Sequence, residues 1–314
     1  MMTINKNPPK ERILLIGGAG FIGIHTAKLF KAHGHQVALV DNFASSIQDA
    51  ITEQFKIYQI DACDLPGLEA VYAEFMPEAV FIFSSVVDVP TTIKNPLSVR
   101  SGVLSLMNAA ELGVKYDVKL NVFASSGYVY GNANQLPYNE KTELDPVNPY
   151  NISKIFGENI LNFYTQKYNL NTSIMRYAPT YGPRRKIGPI IDFISKALSN
   201  DPITLYGTVT RDYMFVEDAA YANLCALNKK TTGLQIFNIG TGIEVSLEQV
   251  YLLICDILKV KPNNIIKKKP INNEINRFCL DVNKAKSDLN FTFNHNLESG
   301  LIKTIDWVVR ENLK

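Results

Sequence analysis

The sequence is poor in the features that would place it in the simplest classes. No apolar run approaches the ~18 residues needed to span a bilayer as a helix, so no membrane association is expected. Charge is nearly balanced, with 32 basic and 30 acidic residues and a formal net charge of +2. Such a surface offers no strong attraction to nucleic acid or to a lipid surface. The four cysteines, Cys63, Cys225, Cys255 and Cys279, lie far apart with no C-x-x-C pair, and the four histidines are dispersed. No metal site is expected from that spacing, and free thiols of a reducing compartment are. The stretch from Met1 to Arg12 is polar with two prolines. It does not read as a signal peptide, and a cytoplasmic protein is expected. No internal repeat or low-complexity linker occurs. The one dense basic run, Lys267-Lys268-Lys269 before Pro270, reads as a solvated loop.

Apolar residues are plentiful, at 46% of 314 residues, enough for a large core and, by length, about two domains. Short apolar runs alternate with longer amphipathic ones through the first half. Arg12 to Ile16, Gln36 to Val40, Phe55 to Ile60, Ala79 to Phe83 and Leu120 to Ala124 read as strands. Phe21 to His33, Leu65 to Phe75 and Pro96 to Leu112 read as helices. Buried strands alternating with helices predict an α/β fold with a doubly wound parallel sheet of the Rossmann type. The later half is less regular. Helices are expected at Pro149 to Tyr168, Pro189 to Leu198 and Leu247 to Leu258, with strands at Thr172 to Tyr177 and Phe237 to Ile239. This suggests a Rossmann domain over 1–178 and a smaller α/β domain over 179–314, with the region around 212–240 returning to the first.

Gly17-Gly18-Ala19-Gly20-Phe21-Ile22-Gly23 stands between the first strand and the first helix. A glycine-rich turn there lets backbone N–H groups approach a pyrophosphate at the positive end of the helix. Asp41, with Asn42 beside it at the tip of the second strand, is placed to accept from a ribose 2′-hydroxyl and to repel a 2′-phosphate. No arginine follows to bind that phosphate, so NAD is favoured over NADP. Asp61-Ala62 after the third strand forms either a plain turn or the rim of an adenine pocket.

Tyr150 and Lys154 form Y-x-x-x-K near the start of a helix that Asn148 caps and Pro149 opens. Four-residue spacing puts both on one face. A nearby ammonium and a positive nicotinamide would favour the phenolate of Tyr150, whose ordinary pKa is about 10. Ser126, in Ser125-Ser126-Gly127-Tyr128-Val129-Tyr130-Gly131, follows a buried strand, where open α/β sheets place ligands. Alone, Y-x-x-x-K is also what a solvated helix face shows, and the serine is also a turn-former.

Taken in order, these residues resemble the extended short-chain dehydrogenase/reductase family, in particular NAD-dependent nucleotide-sugar epimerases and dehydratases of the UDP-glucose 4-epimerase type. The likeness continues through Arg176-Tyr177, Tyr181-Gly182-Pro183-Arg184, Leu205-Tyr206-Gly207, Arg211-Asp212-Tyr213, Phe237-Asn238-Ile239-Gly240 and Asp281-x-x-Lys284-Ala285. The resemblance implies that Tyr150 is the base, that Lys154 holds the ribose and tunes it, and that Ser126 assists. It implies that Gly17, Gly20, Phe21, Ile22, Gly23, Asp41, Asn42, Asp61 and Ala62 hold NAD, with Tyr177 near the nicotinamide. Arg211 would bind the substrate diphosphate, while Ser126 and Tyr150 would contact the sugar.

Dehydrating and decarboxylating members carry an acid after the catalytic serine or threonine, where this chain has Gly127 and Tyr128. That favours an epimerase acting at C4 by oxidation and re-reduction. A keto-sugar reductase would use the same three residues, commonly with NADPH, and a cofactor-sensing protein would need none of them. Other positions depart from the family. Pro179 replaces an asparagine, Ile271 stands where a phosphate-binding arginine is usual, H-L-A-A has become Ile82-Phe83-Ser84-Ser85, and no N-V-x-G-T motif is recognisable at Ser101-Gly102. They leave sugar and nucleotide open, with a UDP-sugar favoured. A homodimer through the Tyr150 helix and the long helix before it is also implied. Ile155, Ile160, Leu161 and Phe163 serve either that interface or the core.

Overall fold

The computed structural model describes residues 10–49, 52–84, 89–133, 135–269 and 275–312. The chain runs β1 (Arg12–Ile16), α1 (Phe21–Ala32), β2 (Gln36–Val40), β3 (Lys56–Tyr58), α2 (Leu65–Phe75) and β4 (Ala79–Ile82). Next come α3 (Val89–Lys94), α4 (Arg100–Lys115), β5 (Leu120–Ser126), α5 (Pro149–Tyr168), β6 (Thr172–Tyr177) and β7 (Thr180–Tyr181). The remainder is α6 (Pro189–Ser199), β8 (Ile203–Tyr206), β9 (Thr210–Asp212), β10 (Met214–Phe215), α7 (Val216–Lys229) and β11 (Leu234–Ile239). Then follow β12 (Glu244–Ser246), α8 (Leu247–Leu258), β13 (Ile265–Lys268), α9 (Asn283–Leu289) and α10 (Leu297–Asn312).

Every residue of β4, β5 and β6, and all of β1 but its first, is buried. Strands covered on both faces belong in the middle of a parallel sheet. They sit there, in the order β11-β6-β5-β4-β1-β2-β3, with every pairing parallel. The chain winds outward in both directions from the β1–β4 neighbour pair, and the crevice at their C-terminal ends is where such sheets bind ligands. One apolar core lies on each face of the sheet. A third is built by α6, α8 and α10 with the short strands β8 and β13. The segment between them is shared: β11 closes one edge of the sheet.

Two expectations need correction. The predicted helix from Pro96 to Leu112 is a 3-10 turn at Pro96–Val99 followed by α4. Asn95 O accepts from Ser98 N at 3.0 Å, which closes the tighter turn. The lysine run is not a loop, because Lys267 and Lys268 end β13, paired in parallel with β8. Ile265 packs on the third core while the lysines face solvent along an edge strand, where charge discourages further pairing.

A buried ion pair joins the helix and sheet beneath the crevice. Arg176 Nε and Nη2 donate to the two oxygens of Glu158 at 3.0 and 2.6 Å, and the two side chains are 4% and 6% exposed. Ser125 Oγ donates to the same carboxylate at 2.5 Å, and Arg176 Nη1 donates to Tyr130 Oη at 2.8 Å. Removing one member leaves the other charged and dry. Glu158→Ala is expected to cost about 3–5 kcal/mol of folding stability, read from urea unfolding; a loss below about 1 kcal/mol would show the pair to be dispensable.

Candidate active site

A cleft of about 650 Å3 opens at the C-terminal ends of β1, β2 and β4. Its floor is the glycine turn. Gly17 has φ +74°, and a Cβ there would lie 2.7 Å from Ser84 N in the turn after β4. A Cβ on Gly23 would lie 2.8 Å from the Gly17 and Gly18 carbonyls. Only glycine allows α1 to start so close to β1. The first turn of α1 has no side-chain cap and no acidic residue, so its N–H groups and dipole face the cleft uncompensated.

Asp41 closes the β2 side. Its Oδ2 accepts from Ala19 N at 3.0 Å, and its Oδ1 accepts from Phe43 N at 2.9 Å and Ser46 Oγ at 2.7 Å. Asn42 Nδ2 donates to Asp61 Oδ2 at 3.2 Å. Asp61 Oδ1 takes the Cys63 N–H at 2.9 Å, and this backbone bond holds its carboxyl below the usual carboxylate range. Asn108 on α4 donates to the Ala62 and Cys63 carbonyls at 2.9 and 3.1 Å, fixing that turn. Gly17, Gly20, Phe21, Ile22, Gly23, Asp41, Asn42, Asp61 and Ala62 all line the cleft. Its size, glycine floor and bare helix end fit a dinucleotide.

At the other end stand Tyr150 and Lys154, on the first turns of α5. Asn148 Oδ1 accepts from Asn151 N at 2.9 Å and caps the helix. Tyr150 and Ser126 are hydrogen-bonded through their side chains. Lys154 Nζ donates to Ala124 O at 2.7 Å and lies 5.6 Å from the Tyr150 ring centre. Burial pulls the Lys154 pKa down to about 7, opposed by Glu158. Burial also raises Tyr150, and the Ser126 hydrogen bond and the Arg185 guanidinium oppose that rise. The cation that favours the phenolate in the unliganded protein is therefore Arg185, which the sequence reading missed. Only its place in a basic triplet, Arg184-Arg185-Lys186, hinted at it, and all three line the cleft.

Three expected residues, Ser126, Tyr177 and Arg211, are not among those lining the cleft. Tyr177 does not join the cleft wall: its ring turns into the core, and its hydroxyl donates to Asn223 Oδ1 on α7 at 2.6 Å. Arg211 is 7% exposed and lies behind Tyr128. Its Nε donates to Tyr128 Oη at 3.0 Å, and its Nη1 donates to the Thr210 and Asn276 carbonyls at 2.8 and 3.3 Å. Pro179 contributes a carbonyl, which accepts from Met214 N at 3.0 Å. Ile271 lies outside the described residues. All four cysteines are free thiols. Among the described residues no helix is long and apolar enough to cross a membrane.

Residues 13–240 match the NAD dependent epimerase/dehydratase family. The chain belongs to that family. A Methanocaldococcus jannaschii protein provisionally named UDP-glucose 4-epimerase is 33% identical over 96% of this chain and 99% of its own length. A Bacillus cytotoxicus UDP-N-acetyl-alpha-D-glucosaminuronate decarboxylase is 31% identical over 95% of this chain and 98% of its own. Among solved structures, the Thermotoga maritima UDP-glucose 4-epimerase with UDP-glucose superposes with a TM-score of 0.90 at 29% identity, covering 96% and 99% of the two chains. The Thermus thermophilus UDP-glucose 4-epimerase with NAD gives 0.86 at 28%, covering 94% and 98%. The protein is thus an NAD-dependent enzyme on a Rossmann-type α/β fold.

The electrostatics give a pH test. A base acting as phenolate gains activity as pH rises through its pKa. Removing Arg185 removes a positive charge that lowers that pKa. In Arg185→Leu, the rising limb of the kcat/KM profile should move to higher pH. An unmoved limb would show that Arg185 does not tune Tyr150.

Proposed function

We propose that the protein is an epimerase of a nucleotide-linked sugar, acting at C4, with a UDP-sugar as the favoured substrate. The observation that carries this reading is the packing at Gly127. A Cβ at that position would lie 2.6 Å from Phe278 Cζ and 3.1 Å from a Leu280 methyl. An acidic side chain directly after Ser126 has no room, and Tyr128 beyond it is engaged with Arg211. Among the described residues, the carboxylates lining the cleft are Asp41 and Asp61, both at the β2–β3 end. Elimination or decarboxylation would be poorly served without a second proton-transfer group near the sugar, whereas epimerisation needs one base.

Bound NAD supplies a hydride acceptor and donor. In the proposed cycle Tyr150 takes the proton of the C4 hydroxyl and later returns it. Ser126 donates a hydrogen bond to the same oxygen, and Lys154, anchored on Ala124 O, holds the cofactor ribose beside Tyr150. In this reading Arg211, held in place by Tyr128, is the donor to the substrate diphosphate. The similarity to UDP-sugar enzymes supports the nucleotide. Residues 1–178 form the cofactor-binding part and 179–314 mainly the substrate-binding part, with 212–240 returning to the first; α7 packs on α1 and β11 on β6.

Assayed on UDP-, GDP-, CDP- and dTDP-sugars with product NMR, the enzyme is expected to interconvert 4-epimers without net NADH. Tyr150→Phe should abolish turnover and leave NAD affinity within about threefold. Stoichiometric NADH change would make the protein a reductase instead, and full activity in Tyr150→Phe would refute the base assignment.

We propose also that it forms a homodimer through α4 and α5. Leu161 is buried in one core with Ile160 packed against it, and Ile155 packs against the other. Of the four residues considered from sequence, Phe163 alone is exposed, at 53%, and it shares α5 with exposed Ile152 and Phe156. Their 4- and 7-residue spacings put the three on one stripe, and Leu104 and Met107 on α4 are also exposed. Light scattering should give a dimer for the native chain and a monomer for Phe156→Glu/Phe163→Glu. A native chain that scatters as a monomer would refute the interface.

A further inference from the structure

The segment after β7 crosses the cleft and packs on the first turns of α1. The burial-lowered His25 ring, with a pKa of about 4, is neutral near neutral pH and donates through Nε2 to Pro183 O at 3.1 Å. Two residues on, the Arg185 guanidinium lies 5.3 Å from the centre of the Phe21 ring. Between these anchors Arg184 enters the cleft with its backbone held at φ +74°, a conformation few non-glycine residues adopt. Its side chain is 8% exposed. Nη1 donates to Asp49 Oδ2 at 2.5 Å, reaching the loop after β2. Nη2 is buried, and no group among the described residues accepts from it.

We propose that Arg184 is a ligand of the NAD diphosphate, gripping it from the wall opposite the glycine turn while Asp49 holds the guanidinium in place. A guanidinium does not deprotonate in proteins, and a buried donor without an acceptor is costly. Here Asp49 satisfies Nη1, Nη2 has no acceptor among the described residues, and Arg184 is one of the residues lining the cleft. Across from it is the α1 N-terminus, with no acidic residue or side-chain cap in its first turn. A helix end and a guanidinium facing one space call for an anion with several acceptor oxygens. The diphosphate is the part of the cofactor that meets the glycine turn in this fold. A ribose 2′-phosphate is the other candidate anion. It would meet the Asp41 carboxylate, which is tied to Ala19, Phe43 and Ser46 and cannot swing away.

The test is titration calorimetry on the nucleotide-free full chain, with NAD, ADP-ribose, adenosine and NADP as ligands. Arg184→Met should weaken NAD and ADP-ribose about tenfold or more and leave adenosine within about twofold. Asp49→Asn keeps the cation and should weaken NAD less than about threefold. Equal losses for adenosine and NAD would make Arg184 a structural strut and overturn the proposal. So would a loss in Asp49→Asn as large as in Arg184→Met, or a loss confined to NADP. If Arg184→Met does not fold, as judged by thermal unfolding without ligand, Arg184→Lys serves instead. A smaller but diphosphate-selective loss there supports the proposal, and a uniform one overturns it.

Discussion

The placement of the chemistry depends on one buried ion pair, Glu158 with Arg176. Tyr150, Lys154 and Glu158 recur every four residues along α5, so they form a single stripe on the helix. The first two reach the cleft, and the third is locked to β6 through Arg176 and to β5 through Ser125. A carboxylate so buried is tolerable only where its oxygens are satisfied, and here three donors meet them. The pair therefore fixes the rotation of α5 about its own axis. With that rotation fixed, Lys154 reaches Ala124 O and Tyr150 reaches Ser126, both at the end of β5.

The same burial that fixes the geometry works against the charge states the chemistry needs. It lowers Lys154 to about 7 and raises Tyr150. Correction has to come from charge brought to the site. Glu158 supports the ammonium from within α5, and Arg185 supports the phenolate from the segment after β7. On the proposed reading, cofactor-binding sheet and later segment are thus electrostatically coupled at Tyr150.

Much of the sheet was legible because strands buried on both faces appear as unbroken apolar runs. The glycine turn was legible because its position between strand and helix limits what it can be. The Tyr150–Lys154 stripe could be read from spacing alone, but not its third member, since nothing in the sequence near Glu158 indicates a partner on β6. The inward turn of Tyr177 was not legible for a related reason. In a strand covered on both faces the apolar–polar alternation disappears, and with it the sign of which way each side chain points. Lys267 and Lys268 hid an edge strand because their charge outweighed the isoleucines before them. Arg184 and Asp49 are 135 residues apart, a separation that no local pattern spans.

Where the chain departs from its family, the structure supplies a reason at two positions. Pro179 has no side-chain donor, yet its carbonyl accepts from Met214 N and keeps β7 beside β10. Gly127 is small because Phe278 occupies the space above it, and Phe278 in turn stacks edge-on with Tyr128, its ring centre 5.1 Å away. Tyr128 then presents its hydroxyl to Arg211. One packing decision, an aromatic ring over Gly127, excludes an acid beside Ser126 and orients the tyrosine that holds Arg211. On the proposed reading, the choice of reaction and the grip on the substrate diphosphate are consequences of the same ring, so neither could drift without disturbing the other.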